Sequence, residues 1–360
     1  MKILFCSEGF LIDGVASFNL YLSGALREAG HEVAVAGRWA GFKSFKDRHR
    51  QKGVGIIESI GLSPSGGGLP QKAAAFGPDI IISDSRRAFP LAMAVKERSG
   101  ARLVTVFHDP VRDDNRRNRS LETIVASSDA WITAEEPIFE QMKALKPPFP
   151  ARLIRRPITS MMETSPLPDR DPFRVLCLGR LSGYKAPGFR ALLDNALPLK
   201  EIIPSLEITF IGGGDRLPLF KLTGMKANMR SGETFVRVLG TRPDPNPWIG
   251  WSTAVCAGAT SAAEAALSNR PVLAFSGYWM GPLLPDSVSR AIDCHFGERD
   301  GAFLMRDRPD AAVSGLKKLY ETWEPAQIRH QVNETRMLLS QAFDSKKIVR
   351  DFLDLFKSLR

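Results

Sequence analysis

The stretch Arg174-Val-Leu-Cys-Leu-Gly-Arg180 is an apolar run that ends in a glycine and a cation, and Lys185 follows five residues later. Two further runs have the same form. Glu207-Ile-Thr-Phe-Ile-Gly-Gly-Gly-Asp215 opens into glycines, and Ala254-Val-Cys-Ala-Gly258 opens into a small-residue segment that contains Glu264. Each run predicts a buried strand followed by a loop. Ligands bind at the carboxyl ends of the strands in an open α/β sheet, so this stretch predicts both a fold class and the place of a site.

The composition is that of a globular protein, and 360 residues are enough for two domains of ordinary size. The formal net charge is +10 at pH 7, which favours anionic substrates or contact with an anionic membrane face. No recognised module or aromatic-interleaved basic strip indicates nucleic-acid binding.

The four cysteines are far apart and have neither disulfide nor zinc spacing, so reduced thiols are expected: Cys6, Cys177, Cys256 and Cys294. The sequence shows no leader pattern and no apolar run of about 18 residues. These features predict a cytoplasmic protein without a membrane-spanning helix.

Strand and helix patterns alternate in both halves of the chain, which predicts two parallel sheets covered on both faces. Strands are predicted over 3–6, 33–36, 79–83, 103–107, 130–133, 152–155, 174–178, 207–211, 235–239, 254–256 and 272–275. Helices are predicted over 15–29, 88–98, 120–127, 137–145, 187–199, 247–251, 261–268, 310–322, 325–341 and 345–358. The proline-rich passage 157–172 cannot hold a helix and predicts a linker.

Arg180 and Lys185 are candidates for stabilising a departing diphosphate. That leaving group needs a metal ion or fixed cations, and both cations follow a strand end and precede a helix, whose N-terminus adds positive character. Gly212, Gly213 and Gly214 allow the backbone to pass close to a ligand. Asp215 is interpreted as a helix cap.

Glu264 is the most specific single candidate for a ligand-binding residue in the sequence. It lies among small residues just before Pro271, and a carboxylate in such a place can hold ribose hydroxyls, as in dinucleotide sites. The backbone amides of Gly258, Ala259 and Thr260, at the start of the same helix, are candidate diphosphate ligands.

These motifs together resemble the donor half of a GT-B glycosyltransferase, closest to glycosyltransferase family 4. Residues 179–185 are similar to that family's Gly-Arg-(four residues)-Lys segment, which holds the diphosphate, and Glu264 corresponds to its ribose-binding acid. Members usually carry a second acid eight residues earlier, where this chain has Cys256. The segment from Gly258 to Glu264 instead resembles the Gly-x-Thr-x-x-Glu of inverting GT-B enzymes typified by family 28.

The resemblance extends more loosely to the first half. Residues 9–18 are similar to the family's glycine loop, whose amides touch the diphosphate and the acceptor. Only Gly14 of that loop carries over, as a donor-binding residue, and His108-Asp109 matches a segment whose histidine contacts the donor sugar. A histidine at a strand end can also act as a general base. An arginine cluster in the next loop is either a solvated face or a site for an anionic acceptor: Arg112, Arg116, Arg117 and Arg119.

The resemblance implies an α/β protein of GT-B architecture, with two Rossmann-like doubly wound parallel-sheet domains facing a cleft. The expected divisions are an acceptor-side domain over 1–160, a linker over 161–172, a nucleotide-sugar-binding domain over 173–342 and a C-terminal helix over 343–360 that packs back on the first domain. The implied enzyme is a hexosyltransferase-type glycosyltransferase of cell-envelope glycan biosynthesis. It needs no cofactor or metal and takes a UDP- or GDP-linked sugar as co-substrate. Retention of the anomeric configuration is favoured, and inversion stays open because Cys256 replaces the usual first acid.

His108, Arg180 and Lys185 are its expected catalytic residues, and the acceptor is a glycan, a lipid-linked molecule or a small molecule. The location is cytoplasmic, with peripheral contact at the inner membrane face. Two alternatives stay open: a non-catalytic sugar-nucleotide-binding subunit of a transferase complex, and a sugar-nucleotide 2-epimerase.

Overall fold

A computed structural model describes residues 1–10, 14–41, 43–59, 68–111, 120–158, 166–167 and 169–360. The arginine cluster over 112–119 and half of the predicted linker over 161–172 lie outside these ranges. The described chain divides into two compact units, one of Met1–Ile158 with Phe343–Arg360 and one of Thr159–Ala342.

The first unit is built on a seven-stranded sheet. Its strands are β1 (Lys2–Phe10), β2 (Glu32–Gly41), β3 (Gly55–Ser59), β4 (Ile80–Ser83), β5 (Arg102–Phe107), β6 (Ala130–Thr133) and β7 (Ala151–Leu153). The order is β3-β2-β1-β4-β5-β6-β7, and every neighbouring pair is parallel. Its helices within residues 1–158 are α1 (Gly14–Glu28), α2 (Lys43–Gln51), α3 (Leu69–Ala75), α4 (Phe89–Ser99), α5 (Leu121–Ser127) and α6 (Glu136–Ala144).

The second unit repeats this strand order. Its strands are β8 (Arg174–Leu178), β9 (Glu207–Ile211), β10 (Val236–Gly240), β11 (Ala254–Ala257), β12 (Val272–Phe275), β13 (Tyr278–Pro282) and β14 (Phe303–Leu304). The order is β10-β9-β8-β11-β12-β13-β14, with β13 antiparallel to both of its neighbours. Its helices are α7 (Pro187–Asp194), α8 (Ala196–Ile202), α9 (Leu217–Ser231), α10 (Asn246–Trp251), α11 (Ala259–Leu267), α12 (Val288–Asp293), α13 (Ala311–Glu321) and α14 (Pro325–Ala342).

Both faces of the first sheet are covered by apolar side chains. Ile3 and Phe5 of β1 point into one buried cluster, and Leu4 and Cys6 point into another, as the alternation of side chains along a strand requires. A buried strand of this kind is hydrophobic throughout, which is why the short apolar runs were recognisable as strands.

The last helix of the chain, α15 (Ser345–Ser358), belongs to the first unit. Phe352 and Phe356 are fully buried in the cluster that also contains Phe18 of α1. Asp344 caps the helix by accepting hydrogen bonds from the backbone amides of Lys346 and Lys347. The helix therefore completes the hydrophobic core of a unit whose other residues lie at the opposite end of the sequence.

Some elements differ from the sequence prediction. The single helix predicted over 187–199 is two helices, α7 and α8, with Asn195 at the junction. Pro198 of α8 has no N–H to donate to the carbonyl of Asp194, which breaks the helical ladder at this point. The elements α2, β3, α3, α9, α12, β13 and β14 were not predicted. Among the residues described, no helix has the length and apolarity to cross a membrane.

Candidate functional site

The predicted donor residues lie at one edge of the second sheet. β8 and β11 are hydrogen-bonded neighbours, although β9 and β10 separate them in the sequence. The chain reverses its direction of winding at this pair, and the crevice at the carboxyl ends of such strands is the usual ligand site of a doubly wound sheet. The loop after β8 carries Arg180 and Lys185, and the loop after β11 leads into α11 with Glu264.

The glycines after β9 pack tightly against the loop after β8. A Cβ at Gly212 would overlap the Gly179 carbonyl oxygen, and one at Gly214 would overlap the Leu181 carbonyl. Leu181 also donates its amide to the Gly213 carbonyl at 2.8 Å. The glycines therefore fix the cationic loop in place.

At the start of α11, the backbone packs closely against its neighbours. Gly258 precedes the helix, and a Cβ there would come within 2.6 Å of the Phe275 carbonyl oxygen. Ala259 has a φ of 51°, in the left-handed region that non-glycine residues rarely occupy. Gly258, the N-cap residue, has no side chain to cap the helix, and the first amide groups of a helix have no intrahelical acceptor. The arrangement suits an anion.

Glu264 lies one turn further along α11 than Thr260. Residues four apart share a helix face, so the half-buried carboxylate of Glu264 stands beside the buried Thr260. Cys256, at the position of the family's second acid, is fully buried within β11 opposite Cys177 of β8. Burial, together with the neighbouring Cys256 thiol, raises the pKa of Cys177 well above its ordinary value.

Lys185 has a partner that the sequence did not reveal. Its ammonium contacts the Glu298 carboxylate at 2.6 Å, and that carboxylate also accepts from the Tyr184 hydroxyl at 2.6 Å and the Ser276 hydroxyl at 2.9 Å. Burial alone raises the pKa of Glu298, but the Lys185 charge and these hydrogen bonds outweigh it and hold the pKa below its usual value. Glu298 is therefore a charged member of the site.

The backbone before Glu298 is strained. His295, Phe296 and Gly297 have φ values of 49°, 52° and 83°, three successive residues in the left-handed region. Such conformations persist only where the surroundings enforce them, and they concentrate at functional sites. No spacing rule or motif in the sequence marked this segment.

Arg180 is exposed, and within the described part of the chain no carboxylate pairs with it. The two predicted cations thus differ, since one is already neutralised and the other is available to an anion. No group of three or more potential metal ligands occurs among the described residues.

The remaining candidates lie at the carboxyl edge of the first sheet. His108 follows β5, and its ring packs edge-on against Phe18 with centroids 5.0 Å apart. Gly14 is the first residue of α1 and is exposed. The buried carboxylate of Asp84, which follows β4, accepts from Asn19 of α1. Asp84 and Asn19 were not recognised from the sequence.

The comparisons with known proteins agree with this architecture. Residues 12–159 match the family model described as Glycosyltransferase Family 4. None of the curated proteins matches the sequence.

Several solved structures share the fold. HepE of Anabaena, in complex with UDP and glucose, is 17% identical, with 99% of this chain and 100% of that chain covered and a TM-score of 0.66. The pneumococcal O-GlcNAc transferase GtfA, in complex with UDP and GlcNAc, is 11% identical, with coverage of 100% and 99% and a TM-score of 0.68. A glycosyltransferase of Rickettsia africae is 15% identical, with coverage of 99% and 98% and a TM-score of 0.63. The chain therefore has the GT-B glycosyltransferase fold, and its first unit matches glycosyltransferase family 4, as the motifs predicted.

Proposed function

We propose that the protein transfers a sugar from a nucleotide diphosphate sugar to an acceptor, and that the donor binds at the carboxyl edge of β8 and β11. One observation carries this proposal. A cationic loop, a glycine loop and an uncapped helix N-terminus meet where the strand order reverses. That combination suits a diphosphate attached to a nucleoside.

The departing diphosphate would be stabilised by fixed positive charge. Arg180 supplies a free cation, and Lys185 supplies an ammonium that it shares with Glu298. The amides of Gly258, Ala259 and Thr260 supply donors at the positive end of α11. Fixed donors of this kind lower the barrier because they need no reorganisation as charge develops. The proposed reaction accordingly needs no metal ion.

Glu264 would hold the ribose hydroxyls of the donor. The residue lies one helical turn beyond the proposed phosphate-binding amides, which places sugar and phosphate contacts on one element. Gly212, Gly213 and Gly214 would support the phosphate loop from β9.

The first unit would serve the acceptor. His108 and Gly14 follow β5 and β1 at the carboxyl edge of its sheet. His108 is proposed to act near the transferred sugar, with retention of its configuration, on a glycan, lipid-linked or small-molecule acceptor.

The relatives favour a uracil nucleotide and a hexose. The HepE structures contain UDP with glucose and UDP-glucose, and the GtfA structure contains UDP with GlcNAc. We extend this chemistry to the present chain as a hexosyl transfer from a UDP-sugar.

Calorimetric titration with UDP, GDP, ADP and dTDP in EDTA tests the donor site. We expect selective binding of UDP that is lost in Arg180→Ala and Glu264→Ala. Arg329→Ala and Glu334→Ala, which remove exposed charges of α14, are matched controls and should bind normally. Binding of none of the four nucleotides by the unaltered protein would refute the donor-site assignment.

A non-catalytic sugar-nucleotide-binding subunit is the second candidate. The observation in its favour is Cys256, a buried thiol where the family usually has an acid on the sugar side. Slow hydrolysis of the UDP-sugar without acceptor would contradict it, since a pure binding subunit releases its ligand unchanged.

A further inference from the structure

The outward face of α9 is apolar. Leu219, Leu222, Met225 and Met229 are 47%, 43%, 53% and 74% exposed, whereas Phe220 is fully buried on the inner side. At 3.6 residues per turn, Leu222, Met225 and Met229 lie within about 60° of one another, nearly opposite the buried face. The most exposed face of α9 is therefore its apolar face.

Cations border this apolar strip on both sides. Lys221 lies on one side, and Lys226 and Arg230 lie on the other, all of them exposed. The helix contains no Asp or Glu, and in the described ranges none of the three cations has a carboxylate partner. The face is thus complementary to a surface with anionic groups on the outside and an apolar layer beneath them.

We propose that α9 docks the protein onto a membrane surface that carries anionic lipid. An interfacial helix buries an apolar strip among the acyl chains while its flanking Lys and Arg side chains reach the phosphates. Each such cation near an anionic surface adds attraction, and the protein's net charge of +10 acts in the same direction. This inference is independent of the proposed sugar transfer.

A second copy of the chain fits this face poorly. A helix of 15 residues is about 22 Å long and about 10 Å wide, a footprint far below the ~800 Å² that each partner of a stable complex buries. Two copies of α9 in contact would also bring cations against cations. A bilayer has neither restriction, because lipids surround the helix and supply the opposite charge.

Sedimentation with vesicles of phosphatidylcholine, with or without about 30 mol% phosphatidylglycerol, tests the proposal on the full chain. We expect binding to the anionic vesicles only. Met225→Ser with Met229→Ser should weaken partitioning about tenfold or more, because the apolar contribution is lost. Lys226→Gln with Arg230→Gln should weaken it on the order of tenfold and reduce its salt dependence.

Matched pairs on other helices are the controls. Met337 and Leu338 of α14 are also exposed, and Met337→Ser with Leu338→Ser should bind as the unaltered protein does. Lys317→Gln with Lys318→Gln on α13 should have at most a small effect. Thermal melting shows whether each variant is folded. If the double variant Met225→Ser, Met229→Ser is unstable, Leu222→Gln is used in its place.

Three results would overturn the proposal. The first is that the unaltered protein does not sediment with anionic vesicles. The second is that the α14 substitutions weaken binding as much as the α9 substitutions do. The third is a dimer, detected by sedimentation velocity, that the methionine substitutions dissociate, which would assign the face to a second copy.

Discussion

Two cations that look alike in the sequence differ in the structure. Arg180 is exposed, whereas Lys185 is held by Glu298 at 2.6 Å. A diphosphate that binds Lys185 must share the ammonium with this carboxylate, and two anions near one cation repel each other. We therefore expect Glu298 to oppose binding of the proposed diphosphate and to favour its release.

Replacing Glu298 by Gln should tighten UDP binding about threefold to tenfold. Tyr184 and Ser276 donate to different oxygens of Glu298, so glutamine retains an acceptor for one of the two hydroxyls and leaves the Lys185 charge free for the phosphate. Titration calorimetry measures the change. In a Lys185→Gln background the same substitution should have little effect. Weaker binding in Glu298→Gln would contradict this prediction and indicate that the carboxylate orients Lys185.

His49 of α2 should make the first unit sensitive to acid. Burial, with smaller contributions from Arg48 and Lys52, lowers its pKa from 6.5 to about 4. The unfolded chain binds the proton first, so the stabilisation is complete above pH 6.5 and is lost as the pH falls towards 4. The full effect is about 3 kcal/mol.

Chemical denaturation between pH 7 and pH 5 measures this dependence. His49→Asn should unfold with a flatter pH profile than the unaltered protein, whereas His330→Asn, at an exposed position of α14, should keep the slope. An unchanged slope in His49→Asn would assign the acid sensitivity to other groups.

Elements were predictable where apolar spacing alone identifies them. β8, β9 and β12 have the predicted bounds, because each is a short buried run that ends in glycine or a polar residue. α9 was missed because its apolar residues lie on both faces, which removes the amphipathic period. β13 was missed because its residues are mostly half-buried and show no alternation.

The glycine loop after β9 should tolerate no side chain. Gly212→Ala would place a Cβ on the Gly179 carbonyl, at a φ of +156°, so we expect a loss of about 3 kcal/mol or more from the second unit together with loss of UDP binding. Gly232→Ala is the control. That glycine ends α9 at a φ of +76° with open space around it, and its replacement should cost about 1–2 kcal/mol. Equal destabilisation by both substitutions would refute the steric argument.

The whole chain contains the same winding twice. Each unit places strands in the order third, second, first, fourth and fifth from one edge, and each therefore has a switch point at its carboxyl edge. The motifs quoted from the sequence were more specific in the second unit, yet the family model matches residues 12–159. The family model therefore supports the resemblance in the first unit, and the shared fold extends over both units.

The first unit should depend on the end of the chain. Phe352→Ala removes a fully buried ring from its core, and we expect the unfolding free energy of that unit to fall by about 3–5 kcal/mol. Hydrogen exchange, read separately for each unit, should show the second unit unchanged. Asp351→Ala, at an exposed neighbouring position, is the control, and equal loss of protection in both units would argue against the division.

Turnover of a UDP-sugar should persist in EDTA. The fixed cations and the N-terminus of α11 are proposed to replace a metal, so Arg180→Ala should lower kcat about 100-fold, while EDTA should change it less than twofold. Arg329→Ala should leave kcat unaltered. Activity that EDTA abolishes and Mn²⁺ restores would contradict this expectation.

The sequence by itself determined the fold class, most strand positions and the candidate loops after β8, β9 and β11. These features depend on spacing within a few residues, which local patterns of hydrophobicity and glycine record directly. Only the tertiary structure decided that Glu298 neutralises Lys185 and that the outer face of α9 is apolar. Contacts between distant segments depend on which surfaces pack together, and no local spacing encodes that packing.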